Sequence, residues 1–259
     1  MKISILGVRG SIPVDGEGFI KYGGATACCL VEAAGQVIYL DAGSGLLRSP
    51  DIDNEQVSVL LSHTHIDHIL GLPLSRLLLS KRRIDIYAKS RDGLNVKEQL
   101  KCLMSPPLWP VGVETYPADI IFHDVDTAFD LGDVHVDMME ADHPGGSTIF
   151  RLEHKGRSLV YATDHEHGGD KQKELAVFAK YTDLLLYDAQ YTQDEYERMK
   201  GFGHSTVSEG MKLFDKCGAK RILFVHHDPR HDDIKLAEME AQIKNEHAAF
   251  ARAGMIMEL

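Results

Sequence analysis

Apolar residues along the chain fall mostly into short strand-length runs set off by glycine turns, with only a few stretches showing helical spacing. KISILGV (2–8) predicts a strand, followed by a glycine-punctuated loop, RGSIPVDGEG, that runs on to Tyr22-Gly23-Gly24. ATACCLVEA and QVIYLDAG are apolar runs joined by Ala34-Gly35, the pattern of a hairpin. VSVLL (57–61) is continuously apolar, as expected of a strand buried on both faces. Further strands are expected over 83–89, 119–125, 135–141, 147–154, 158–164, 183–189 and 221–227. Helices are expected over 70–80, opened near Pro73, and over 93–104, 173–181, 206–218 and 234–254. Buried strands occur in both halves, many ending in His or Asp, with helices between them. That order predicts an α/β protein built as a four-layer αββα sandwich, two mixed sheets packed together with helices outside. No repeat, low-complexity tract or linker-like boundary interrupts it, so residues 1–259 read as a single domain.

Composition narrows the partners. The 259 residues carry 39 acidic against 28 basic side chains, a formal charge of −11, which disfavours long polyanions such as nucleic acid. Nothing in that balance opposes a small phosphate ester held by a metal. Cys28, Cys29, Cys102 and Cys217 have no framework spacing and read as small buried hydrophobes in a reducing compartment. Cys28 and Cys29 are neighbours on an apolar run, so their side chains should face opposite ways rather than pair. The start, MKISILGVRG, is too short in apolar residues for the core of a secretory signal, and no run reaches the roughly 18 residues of a membrane span. A cytoplasmic protein is the expectation.

The chemistry concentrates in VLLSHTHIDH (59–68), where His63, His65, Asp67 and His68 crowd the end of a buried strand. His63 and His65 lie two apart and can point to one side; Asp67 and His68 follow the bend. Imidazole and carboxylate together suit zinc, manganese or iron. So many ligand-type groups leaving a buried strand are hard to desolvate without a cation. His143, Asp164 and His226 recur at other strand ends, which points to one rim where open sheets collect their sites.

The His-x-His-x-Asp-His run, together with His143, Asp164 and His226, resembles the metallo-β-lactamase superfamily of binuclear metallohydrolases, over nearly the whole chain. The resemblance implies the αββα fold and two divalent cations. It assigns one to His63, His65 and His143, the other to Asp67, His68 and His226, and makes Asp164 a bridge between them. Two metals roughly 3.5–4 Å apart would then share a hydroxide and clamp the reacting oxygen. Asp41, in LDAGSG, matches the aspartate that orients ligands in that family. His227 is the alternative to His226, which is preferred because it comes first after its strand.

GFGHST (201–206) resembles the Gly-His-Ser-Thr motif of ribonuclease Z and related small-molecule phosphodiesterases. By that resemblance His204 sits near the leaving group and pairs with Asp188, in LLLYDAQYT. His204, Asp188 and Asp67 are therefore the catalytic candidates. The plainer reading has His204 and Ser205 capping the following helix. Arg9 and Lys21 are candidate phosphate contacts, although solvated surface charge is the preferred reading for both. SPPLWPVGVETYP (105–117), carrying Trp109 and Tyr116, is either a loop over the site or a surface loop that pins Trp109.

The expected function is hydrolysis of a small, possibly cyclic, phosphodiester, with no membrane partner and with a homodimer in view from the relatives' habit. The alternatives are a ribonuclease Z-like RNA endonuclease, a hydrolase of a carboxylic ester, lactone or thioester, and a non-enzymatic metal sensor. No basic arm for transfer RNA stands out between His68 and His143.

Overall fold

Alternate residues of the central strands point into different layers, and that alternation creates the architecture. The computed structural model describes residues 1–259. The first sheet contains β1 (Lys2–Gly7), β2 (Cys28–Ala33), β3 (Gln36–Leu40), β4 (Gln56–Leu60), β5 (Arg83–Ala88) and β6 (Asp119–Asp124), side by side in that order. The second contains β7 (Phe129–Leu131), β8 (Val134–Glu140), β9 (Thr148–His154), β10 (Arg157–Ala162), β11 (Leu184–Asp188), β12 (Ile222–Val225) and β13 (Ala248–Phe250), likewise in order. A last strand, β14 (Ile256–Glu258), returns to pair with β1. Each sheet is mixed: β3–β6 are mutually parallel, as are β10–β13, and the remaining pairs are antiparallel.

In β2, Cys29 and Val31 enter the core between the sheets, while Cys28 and Leu30 pack on the outer face. In β12, Leu223 and Val225 point inward, and Ile222 and Phe224 point out. The adjacent cysteines thus face different layers, as their position on a strand required. Helix α1 (Ile66–Ile69) follows the ligand run, and α2 (Val96–Leu103) lays Val96 and Leu100 on the first sheet. Helices α3 (Gly169–Phe178), α4 (Gln193–Met199), α5 (Val207–Cys217) and α6 (Asp233–Glu240) follow, and α3, α5 and α6 cover the second sheet through Leu175, Leu213, Phe214 and Leu236. The four-layer sandwich is therefore correct.

Three expectations fail. Residues 70–80 do not form one helix. The Ser75 hydroxyl donates to the Leu72 carbonyl and accepts from the Leu78 N–H, so side-chain bonds replace the helical ladder. Residues 234–254 form a helix only to Glu240, because Ala248–Phe250 become an edge strand beside β12. Cys102 is exposed, unlike the other three cysteines, because it lies two residues after Leu100 and so on the face of α2 opposite the buried Val96–Leu100 stripe. No helix is long and apolar enough to cross a membrane.

Candidate metal centre

The chain reverses direction sharply where its ligand-type residues sit. Asp41 follows β3, Asp164 follows β10 and His226 follows β12, with φ of 60°, 51° and 63° respectively. Left-handed backbone at a non-glycine residue costs roughly 1–3 kcal/mol and persists only where surrounding contacts impose it. Each residue is thereby turned off its strand end toward a common point. Two glycines make room. A Cβ on Gly10 would lie 2.4 Å from the His226 ring, and one on Gly203 would lie 2.0 Å from His143 Nδ1. This is a physical reason for the glycines of GVRGS and GFGHST.

All seven expected ligands converge. Asp164 is at the middle: its Oδ1 lies 3.8 Å from both His63 Nε2 and His143 Nε2. Its Oδ2 lies 3.1 Å from His68 Nε2 and 3.3 Å from His226 Nε2. His143 Nε2 is 3.1 Å from His65 Nδ1. Asp67 Oδ2 lies 3.2 Å from both His68 Nε2 and His226 Nε2, and also accepts from the Ser11 N–H at 2.7 Å. One oxygen of Asp164 thus faces each half of the cluster.

Partners behind the imidazoles set their orientation. His68 Nδ1 donates to Asp41 Oδ2 at 2.7 Å, His226 Nδ1 to Gln190 Oε1 at 2.9 Å, and His143 Nδ1 to the Gly203 carbonyl at 3.1 Å. Each leaves Nε2 aimed at the centre. Asp41 is fully buried and also accepts from the Ser62 N–H, the Ser62 hydroxyl and the Tyr161 hydroxyl. Ser11, Ser62, Tyr161 and Gln190 were not foreseen. Ser11, Ser62 and Gln190 fall inside GVRGS, VLLSHTHIDH and LLLYDAQYT, but nothing in those runs marks them, and only the fold brings the four residues to the ligands.

The two halves differ electrostatically. Burial opposes charge on every imidazole. For His226 that effect is outweighed by Asp164, Asp67 and Asp188, and its pKa is pushed up to about 9. His68 is likewise raised, against burial, by Asp164, Asp67 and Asp41. His63 is held well below the ordinary histidine value, by burial first and by His68 second. His65 and His143 are lowered too, chiefly by burial.

The donor set fits divalent cations. The Nε2 atoms of His63 and His68 are buried with no hydrogen-bond partner, an expensive arrangement for groups that need one. Both point at carboxylate oxygens. Nitrogen and carboxylate donors in such a set suit zinc, manganese or iron. Cation binding is the role that satisfies these atoms.

His204 stands beside the cluster, its ring stacked on His226 with centroids 4.8 Å apart. Its Nδ1 donates to Asp188 Oδ2 at 2.8 Å, so the expected pair is formed. Asp188 also accepts from the N–H groups of Asp164, Gln190 and Ser205. The helix cap is Thr206, not Ser205, whose hydroxyl instead meets Tyr187 and His167. The loop before His204 is held by Glu166, whose carboxylate accepts from the N–H groups of Gly201 and Gly203.

The remaining expectations divide. His227 turns away: its Nε2 meets the Ala251 carbonyl, and burial takes it down to about 3. His226 is the residue in the cluster. Arg9 is neither a phosphate contact nor surface charge; it is fully buried and donates to the carbonyls of Gly23, Asp228 and His231. Lys21 is exposed, over the Tyr22 ring. Trp109 and Tyr116 bond to each other at 2.8 Å, and it is Leu108 of that loop that lines a cavity beside His65.

A profile described as the Beta-lactamase superfamily domain matches residues 37–227, which includes every residue of the cluster. The chain belongs to that superfamily. With this donor set, the superfamily member is a metal-dependent hydrolase. It is 22% identical over 286 residues to a protein named Ribonuclease Z from Haloarcula marismortui, covering 89% of this chain and 87% of the relative. Its fold matches a solved structure described as a new diphosphatase from the PhnP family, with TM-score 0.75, 19% identity, and coverage of 100% and 97%. It also matches the short form of human tRNase Z, with TM-score 0.71, 19% identity, and coverage of 100% and 99%.

Proposed function

We propose that residues 1–259 form a single domain that hydrolyses a small phosphodiester, a cyclic nucleotide being one candidate, in the cytoplasm. His63, His65 and His143 would hold one divalent cation, Asp67, His68 and His226 a second, with Asp164 between them. Bound there, the cations would polarise the phosphoryl group and make water nucleophilic at neutral pH. Water adds to phosphorus, the P–O bond to the leaving group breaks, and a monoester and an alcohol result. His204 gives the departing oxygen its proton, because Asp188 fixes Nδ1 and leaves Nε2 for the substrate. Asp188 in turn is fixed by three backbone N–H groups, so the pair is rigid before substrate arrives.

The observation that carries this reading is the His204–Asp188 pair standing against the ligand cluster. A thioester would need no such acid, since a thiolate departs without a proton, whereas the alkoxide leaving an alkyl phosphodiester must gain one.

The test is turnover of bis(p-nitrophenyl) phosphate and a panel of cyclic nucleotides by metal-quantified protein. His204→Ala should cut cyclic-nucleotide turnover by about 10²–10⁴-fold with metal content unchanged, and bis(p-nitrophenyl) phosphate turnover by less, because p-nitrophenolate departs with little need of a proton. No phosphodiester turnover by the loaded protein would exclude the assignment. RNA processing is a second reading, favoured by the Ribonuclease Z relatives that align over most of the chain. The charge of −11 opposes it. Cleavage of a transfer-RNA precursor with strong salt dependence, and without small-diester turnover, would establish it instead.

A further inference from the structure

Beside the centre, on the His63 and His65 side, lies a cavity of about 380 Å³. Three side chains that converge on it are apolar and exposed: Ile66 at 51%, Leu94 at 36% and Leu108 at 68%. Leu103 and the exposed Cys102 of α2 complete the apolar wall. Single exposed leucines are ordinary, but several gathered at the mouth of a catalytic centre form a surface that water covers poorly. The wall is also fixed in place. The Gln99 amide of α2 donates to the carbonyls of Lys89 and Leu94, and the Thr64 hydroxyl within the ligand run donates to Gln99.

The cavity offers no free cation. Arg91 is the only basic side chain lining it, and its guanidinium bonds Glu140 at 2.6 Å and Thr148 at 2.9 Å. Lys89 is paired with the same glutamate. Asp92 adds a carboxylate to the lining. Two cations, Lys89 and Arg91, are balanced by Glu140 and Asp92, so a second phosphate of a polynucleotide would meet no net positive charge here, whereas an apolar group would bury itself against four aliphatic side chains.

We infer that this cavity receives the ester group that stays on phosphorus, and that the group is apolar, an aryl or alkyl body rather than a further nucleotide. The inference rests on the phosphodiesterase reading and specifies its substrate class. His63 and His65 line both the cavity and the ligand cluster, so a diester seated at the centre projects one substituent directly into it.

Two readouts test it. The first compares kcat/KM for methyl 4-nitrophenyl phosphate and phenyl 4-nitrophenyl phosphate, which share a leaving group and differ only in the retained ester. The wild-type protein should prefer the phenyl ester by about tenfold or more. Leu94→Asp and Leu108→Asp, both at exposed positions, should narrow that ratio. The second readout needs no turnover. Iodoacetamide should label Cys102 selectively, since the other cysteines are buried, and diphenylphosphinate should slow labelling where dimethylphosphinate does not. Equal kcat/KM for the two diesters overturns the pocket assignment and leaves the phosphodiesterase reading standing. Protection of Cys102 with no turnover of either diester supports the apolar pocket and removes the reaction. No turnover of either diester together with no protection of Cys102 overturns both.

Discussion

Asp41 binds no cation in this arrangement, yet its substitution should damage the centre as surely as loss of a ligand. Its carboxylate is fully buried and accepts four donors: the Ser62 N–H at 2.7 Å, the Ser62 hydroxyl at 2.9 Å, the Tyr161 hydroxyl at 2.9 Å and His68 Nδ1 at 2.7 Å. Asp41→Asn keeps the shape but replaces one acceptor oxygen with an NH2 donor. Three of the donors converge on Oδ2, so the amide nitrogen is least costly on the Oδ1 side, where it faces the Ser62 N–H. One charge-assisted bond becomes a donor–donor clash and three others weaken to neutral strength. We expect a loss of about 2–4 kcal/mol in urea unfolding of chelator-stripped protein. Because His68 loses the anion that aims its Nε2, zinc affinity by competition with a chelator should fall about 10–100-fold. Tyr161→Phe is the matched control: it removes one donor, costs about 1–2 kcal/mol, and leaves the His68–Asp41 bond in place. Equal loss of zinc affinity in the two variants, or wild-type affinity in Asp41→Asn, would refute the claim that Asp41 acts through His68.

Three further outcomes can be measured. Asp164→Ala should weaken both metal positions, whereas His65→Ala should weaken one; an Asp164→Ala protein that still binds one equivalent at wild-type affinity would contradict the bridging geometry. Gly10→Ala places a Cβ 2.4 Å from the His226 ring and should displace that ligand, so metal content should drop while circular dichroism of the sheets persists. Asp85 is buried in the first sheet; burial opposes its charge, but bonds from Arg83, His123 and Gln56 prevail and hold it below the usual carboxylate range. Its contribution is therefore present above the unfolded value of about 3.9 and is lost as pH falls below it. An acid-unfolding curve in that window should flatten in Asp85→Asn, and an unchanged curve would assign the transition elsewhere.

Much of this protein is written locally. Continuous apolar runs such as VSVLL and RILFV can be satisfied only as strands buried on both faces, and two sets of them with intervening helices leave few architectures besides the four-layer sandwich. The ligand run 63–68 is legible because histidines and an aspartate at that density, leaving a buried strand, have no inexpensive fate without a cation. His143, Asp164 and His226 were legible as ligand-type groups recurring at strand ends on one rim, whereas His204 and Asp188 were legible only through the resemblance of GFGHST to a known motif.

What required the tertiary structure was anything decided by a distant neighbour. The 234–254 stretch has helical spacing throughout, but Ala248 and Phe250 are drawn into strand form by the open edge of β12. Arg9 reads as surface charge until three carbonyls from residues 23, 228 and 231 are found around it. Adjacent His226 and His227 are chemically identical in sequence; only the left-handed turn at His226 sends one imidazole to the carboxylates and the other against Tyr22 and Phe250. Local sequence sets which groups are costly to bury, and long-range packing decides which partner relieves that cost.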